Sequence, residues 1–139
     1  MKRIRCVTND GINLIGFLYE GNNDAWNIMI PGVDGNIMTN EFVHVIGEEF
    51  SNNGYNFILV HHRGSFQILS SNSLDPNISG ITIGSVFEKF DDSKYDVEAW
   101  IKYAVDNGAK EINLIRDIAT FNITGISNEI DKLGSGDIE

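Results

Sequence analysis

The chain has 139 residues, enough for one domain with a hydrophobic core, and 42% of them are hydrophobic, which sets it apart from disordered sequences. Twenty acidic residues against ten basic ones give a formal net charge of −10. That balance argues against a nucleic-acid binder and against adhesion to an anionic membrane, and it identifies no partner on its own.

Lys2, Arg3 and Arg5 are followed by Cys6-Val7-Thr8-Asn9-Asp10, without the apolar core of a signal peptide, and no run approaches membrane-spanning length. The single cysteine, Cys6, leaves no intramolecular disulfide and fits a cytoplasmic home. Cys6 itself is read as a small strand residue in preference to a nucleophile.

Residues 3–8 read as a strand. Asn9-Asp10-Gly11 is a hairpin signal, with glycine where φ turns positive, and residues 12–19 are the return strand, with Gly16 read as a bulge. Residues 20–24 form a loop. The apolar run Ile28-Met29-Ile30 then ends abruptly in Pro31-Gly32, with Gly35-Asn36 close behind. This is a buried strand that stops at a glycine-rich loop and leads into a helix. In open α/β sheets ligands bind at such carboxyl ends, and glycines there let backbone N–H groups turn toward an anion.

From Thr39 or Asn40 the period changes. Phe42, Val43, Ile46 and Phe50 are placed on one helical face, and Gly54 ends the helix. Phe57-Ile58-Leu59-Val60 is a continuous apolar run suited to a strand buried on both faces, and it ends in His61-His62-Arg63-Gly64. Residues 65–90 are rich in Ser, Asn and Gly and read as a long, partly irregular excursion anchored by Val86, Phe87 and Phe90. Ser93 opens a second helix, with Asp96 completing a weak capping box and Val97, Trp100, Ile101, Ala104 and Val105 as its apolar stripe. Gly108 ends it, and residues 112–115 are a further strand. Residues 118–124 read as another strand, residues 128–133 as one or two helical turns, and residues 134–136 as a tail. Strands alternating with helices after an initial hairpin give a single α/β domain over residues 1–139, with residues 116–139 as a divergent tail.

The order of these pieces resembles the amino-terminal half of the α/β-hydrolase family. Pro31-Gly32-Val33-Asp34-Gly35-Asn36 resembles the family's His-Gly-x-x-Gly-Asn oxyanion loop, with proline in the place of the histidine. Residues 56–64, N-F-I-L-V-H-H-R-G, resemble the next strand and its Arg-Gly turn. Residues 84–90 and 95–104 resemble the loop and helix that follow. The resemblance covers residues 3–115 and implies an incomplete α/β-hydrolase-like sheet: an antiparallel hairpin, then parallel strands with flanking helices. It also implies that the backbone N–H of Val33, with Asp34 beside it, is an oxyanion donor, in a loop shaped by Gly32 and Gly35. Fixed N–H groups stabilise the negative oxygen of a tetrahedral intermediate. A flavodoxin-like doubly wound domain is the alternative, though it starts less naturally with a hairpin.

The family's nucleophile sits in a G-x-S-x-G turn directly after the strand that follows the second helix. In that register Asp117 and Phe121 replace the glycines and Ala119 replaces the serine, and no histidine occurs after His62. Gly80-Ile81-Thr82-Ile83-Gly84 matches G-x-T-x-G but follows Ser, Asn and Pro residues, so it is read as loop. Gly125-Ile126-Ser127-Asn128-Glu129 lies between an expected strand and helix, which makes Ser127 the one nucleophile candidate. It lacks the last glycine and comes several residues late. His61 and His62 are adjacent on a strand and face opposite ways, so a regular strand cannot aim both at one site. Structural roles are read for them and for His44, and no acid–His–His spacing points to a metal.

The expectation is a truncated or divergent relative of esterase-like and acyl-transfer serine hydrolases, inactive alone, with no cofactor and no secure Ser-Asp-His triad. Two alternatives stay open: a non-catalytic binding module, or one piece of a split hydrolase whose partner chain supplies the triad. If completed, it would take a small acyl or ester substrate. The strand at residues 112–115 would then lie near a sheet edge, open to self-association or to a partner chain.

Overall fold

A computed structural model of the protein describes residues 1–32, 41–65, 69–71, 77, 80–84 and 89–116. In chain order the elements are β1 (Lys2–Val7), β2 (Asn13–Tyr19), β3 (Ala25–Ile30), α1 (Glu41–Asn52), β4 (Asn56–Val60), β5 (Leu69–Ser71), β6 (Ile81–Ile83), a 3₁₀ turn (Phe90–Asp92), α2 (Ser93–Asp106) and β7 (Glu111–Arg116). The main sheet has five strands in the order β1-β2-β4-β3-β7. β1, β2 and β4 pair antiparallel, while β4, β3 and β7 run parallel.

The hairpin turn is built as its residues dictate. Gly11 takes φ +89°, the Ile12 N–H donates to Thr8 Oγ1 at 2.8 Å, and the Thr8 hydroxyl donates to Asp10 Oδ1 at 2.6 Å. Side chains of β4, and Ile28 of β3 beside it, are covered from both sides. Ile28, Phe57, Ile58, Leu59 and Val60 have no exposed surface, which is why β4 reads as an unbroken apolar run.

On one face Leu14, Leu18, Ile28, Ile30, Ile58 and Val60 meet Val97, Trp100, Ile101 and Ala104 of α2. On the other, Phe17, Tyr19, Phe57 and Leu59 meet α1 through Val43, with Ile46 and Phe50 half-buried beside them. Close helix approach needs Gly47, because a Cβ there would lie 2.6 Å from the Tyr19 ring. The stripe of α1 is therefore Val43, Ile46, Gly47 and Phe50. Phe42 lies off it and is 61% exposed, contrary to the face the sequence assigned it.

Three further expectations are corrected. Gly16 is not a bulge: its register with Ile4 and Val60 is unbroken. Glycine is needed there because a Cβ would sit 2.8 Å from Trp100 and 3.0 Å from the Leu59 carbonyl oxygen. Residues 81–83 are strand, not loop, and pair antiparallel with β5 in a separate two-stranded sheet. Asp96 makes no capping box, since its carboxylate turns to Arg63. Asp92, at the N-cap, makes no side-chain cap bond.

Helices end as expected at Gly54 and Gly108, with φ +89° and +98°. The expected caps at Thr39 and Asn40, the anchors Val86 and Phe87, and everything assigned to residues 117–139 lie outside the described residues. Among the described residues β7 is an edge strand. It pairs with β3 alone, and Ile112, Leu114 and Ile115 are only half-buried. No helix among the described residues is long and apolar enough to cross a membrane.

Candidate functional site

Parallel pairing of β3 with β4 brings their carboxyl ends side by side, so Pro31-Gly32 lies next to the turn His61-His62-Arg63-Gly64-Ser65. All five turn residues are buried. Each is held by the elements around it.

His61 continues the strand by its backbone: its N–H donates to the Ile15 carbonyl at 2.8 Å, and its own carbonyl accepts the Trp100 indole N–H at 2.9 Å. Burial, with a smaller contribution from His62, pushes the His61 imidazole down to about 4, so it is neutral at pH 7.

His62 is 2% exposed. Its Nδ1 accepts the Gly64 N–H at 3.1 Å, and its Nε2 lies 3.3 Å from the Gly32 carbonyl oxygen. Ser65 closes the turn: its Oγ accepts the His62 N–H at 2.9 Å, and its N–H donates to the His62 carbonyl at 3.0 Å. The Ser65 hydroxyl is thus buried and engaged in the turn, and neither ring nitrogen of His62 is aimed at it in these bonds.

Arg63 is the electrostatic centre. Its backbone N–H donates to Asp96 Oδ2 at 2.8 Å, while Nε and Nη2 donate to Asp96 Oδ1 at 3.0 and 2.7 Å. Nη1 and Nη2 also reach Asp10 at 2.8 and 3.1 Å, and Asp92 lies 3.7 Å away. Burial works to lower the guanidinium pKa, but hydrogen bonds and charge from Asp10 and Asp96 more than offset it and raise it. Burial pushes the Asp96 carboxyl up, and the donors and charge of Arg63 oppose that push. Burial likewise acts upward on Asp10, yet Arg63 and Thr8 hold its carboxyl below the usual range.

One guanidinium therefore ties the hairpin turn, the end of β4 and the first turn of α2 together. Sequence reasoning found the Arg-Gly turn but missed this cluster. The available signal was an arginine directly after a buried strand and an acid one turn into the next helix.

Beside this cluster lies a cleft of about 150 Å³, lined by Ile12, Arg63, Asp92 and β6. A polar hollow of about 480 Å³ lies at the opposite end of the sheet, between Glu20, Asn22, Asn23, Asp24 and Asn56. The asparagines there serve the fold, as where Asn56 accepts the Gly21 N–H and donates to the Asn23 carbonyl.

Of the residues proposed from sequence, Gly32 is half-buried beside His62. Val33, Asp34, Gly35, Ala119 and Ser127 lie outside the described residues. His44 contacts the Tyr19 hydroxyl through Nδ1 on the far face of the sheet. Cys6 is half-buried, and burial raises its thiol pKa, which suits a packing residue and not a thiolate nucleophile. Chemically, the described residues make a buried, hydrogen-bonded cluster beside Gly32 at the carboxyl end of β3.

No protein-family model and no curated protein matches this sequence. Solved structures do match the fold. DcsB, determined in complex with its substrate analogue, superposes with a TM-score of 0.60 at 18% identity, over 83% of this chain and 36% of that one. The Pyrococcus furiosus esterase Pf2001 gives 0.58 at 19% identity, over 83% and 40%. The α/β hydrolase GrgF from Penicillium sp. sh18 gives 0.59 at 17% identity, over 83% and 36%. The chain thus has an α/β-hydrolase-like fold and spans well under half the length of these neighbours. Among the described residues its main sheet has five strands, so the sheet described is incomplete relative to a whole domain of that fold.

Proposed function

We propose that this chain is a divergent α/β-hydrolase scaffold, related to esterase-like acyl-transfer enzymes, that carries the oxyanion-loop side of the site without the nucleophile. The observation that carries this reading is the sheet order β1-β2-β4-β3-β7, which puts Pro31-Gly32 at the carboxyl end of an interior parallel strand. That is where a loop can present N–H groups to a developing oxyanion. In this reading the Val33 N–H is the donor and Asp34 stands beside it, with Gly32 and Gly35 shaping the loop. Ala119 occupies the nucleophile register and has no group with which to attack an acyl carbon.

The 139-residue chain alone should leave p-nitrophenyl esters hydrolysing at the background rate and should not be labelled by a fluorophosphonate. Labelling that disappears in Ser127→Ala would overturn this and make Ser127 the nucleophile.

A second reading, a piece of a split hydrolase, is favoured by the edge position of β7 among the described residues and its half-buried Ile112, Leu114 and Ile115. An edge with apolar side chains invites a further strand from a second copy or a partner chain. Light scattering on the intact chain and on one ending at Ile115 tests it. Concentration-dependent association is expected, and monomers in both forms would remove this reading.

A further inference from the structure

The His62 ring is held from two sides by groups that can act in only one way. At Nδ1 the partner is the Gly64 backbone N–H, which can only donate; at Nε2 it is the Gly32 carbonyl, which can only accept. Nδ1 must then be bare and the ring proton must sit on Nε2. Two partners, one of them thirty residues away from His62 in sequence, demand the same tautomer, inside a site where His62 is 2% exposed and little water can compete.

We infer that His62 is a positioning residue: its Nε2–H fixes the Gly32 carbonyl and, through the planarity of the peptide unit, sets the direction of the N–H on the other side of that bond. In a trans peptide C=O and N–H point opposite ways. A carbonyl held by His62 therefore constrains the plane of its whole peptide unit. Donation to the carbonyl also polarises the same unit and makes its N–H a better donor. The imidazole comes from the neighbouring strand, while position 31 of the loop itself is proline and has no donor to give. His62 is in turn seated by Ser65 and by the Arg63–Asp96 contact next to it. This inference rests on the reading of the loop as an oxyanion loop only for its purpose, not for the hydrogen bonds themselves.

The test is NMR on the full chain, labelled with ¹⁵N and ¹³C. In the wild-type protein the long-range imidazole correlations of His62 should show the Nε2–H tautomer, and the Nδ1–H tautomer would overturn the inference. Two variants then separate the two ends of the ring. His62→Gln keeps a donor near the Nε2 position, so the Gly32 carbonyl shift should stay close to wild type while the Gly64 amide moves. His62→Asn keeps an acceptor near Nδ1, so the Gly64 amide should stay while the Gly32 carbonyl moves. A folded His62→Asn protein with an unmoved Gly32 carbonyl also overturns the inference. If either variant fails to fold, the wild-type tautomer decides alone. Titration with methylphosphonate, an oxyanion mimic, addresses the loop's purpose separately. An Nε2–H tautomer without any response to methylphosphonate would leave the positioning role standing and remove the oxyanion reading.

Discussion

Arg63 meets Asp96 twice, since its backbone N–H and its guanidinium both donate to the same buried carboxylate. Asp96 is 1% exposed, so this is an interior ion pair whose worth lies in geometry, not in charge alone. Removing one partner strands the other. Arg63→Met is expected to cost about 3–5 kcal/mol, because it leaves a buried carboxylate uncompensated. Arg63→Met combined with Asp96→Leu should cost much less than the two single changes added together. Urea unfolding followed by the fluorescence of the two buried tryptophans, Trp26 and Trp100, measures all three, and additive losses would mean that the pair is not coupled.

Stability should fall as pH drops from about 6.5 toward 4, and His61 is the cause. Its folded pKa lies near 4 against an ordinary 6.5, so between those values the unfolded chain binds the extra proton. The full contribution is therefore present above the ordinary value and is lost as pH falls through the window, by up to about 3 kcal/mol. His61→Gln should flatten the urea midpoint between pH 7 and 4.5. Asp10 acts in a lower window. Its folded pKa is depressed, so its contribution is present above the ordinary carboxylate value and is lost as pH falls through the folded one. An unchanged pH slope in His61→Gln would show that the imidazole is not buried neutral.

Gly16 and Gly108 are glycines for different reasons, and substitution should separate them. At Gly16 φ is not the difficulty; the space is, with Trp100 2.8 Å from an added Cβ. Trp100 is fully packed and bonded to the His61 carbonyl, so it has no room to give. Gly16→Ala should cost about 1–3 kcal/mol. Gly108 has open space around it but a φ of +98°. Gly108→Ala should cost about 1 kcal/mol, and Gly108→Asn should recover part of it. Thermal melts of the three variants check the ranking.

Much of the fold was legible because period and burial agree. The run at residues 57–60 read as doubly buried, and the stripe Val97, Trp100, Ile101 and Ala104 packs as its spacing says. The failures share a physical cause, which is that they depend on a partner distant in sequence. Nothing near Gly16 announces that an indole 84 positions later fills its Cβ site. Asp96 satisfies a local capping rule and is taken instead by Arg63. Residues 81–83 look like loop because their strand partner, at residues 69–71, lies within an equally polar stretch. The candidate site was half legible. The glycine loop and the Arg-Gly turn stand out in sequence, but that His62 bridges them requires knowing that β3 and β4 are neighbours.

The sheet order has a consequence for how the chain reaches its fold. β1 and β2 meet across a turn of a few residues, whereas β3 waits for β7, with more than half the chain between paired positions such as Met29 and Ile115. Closing so long a loop costs entropy before any contact repays it, which slows assembly. The hairpin and β4 are then the early framework, and the last seam to close is the one on the far side of the strand that carries the Gly32 loop. During that interval β3 is paired on one side only. The strand that ends at Pro31-Gly32 is thus also the strand most open to pairing with the wrong chain while the protein folds.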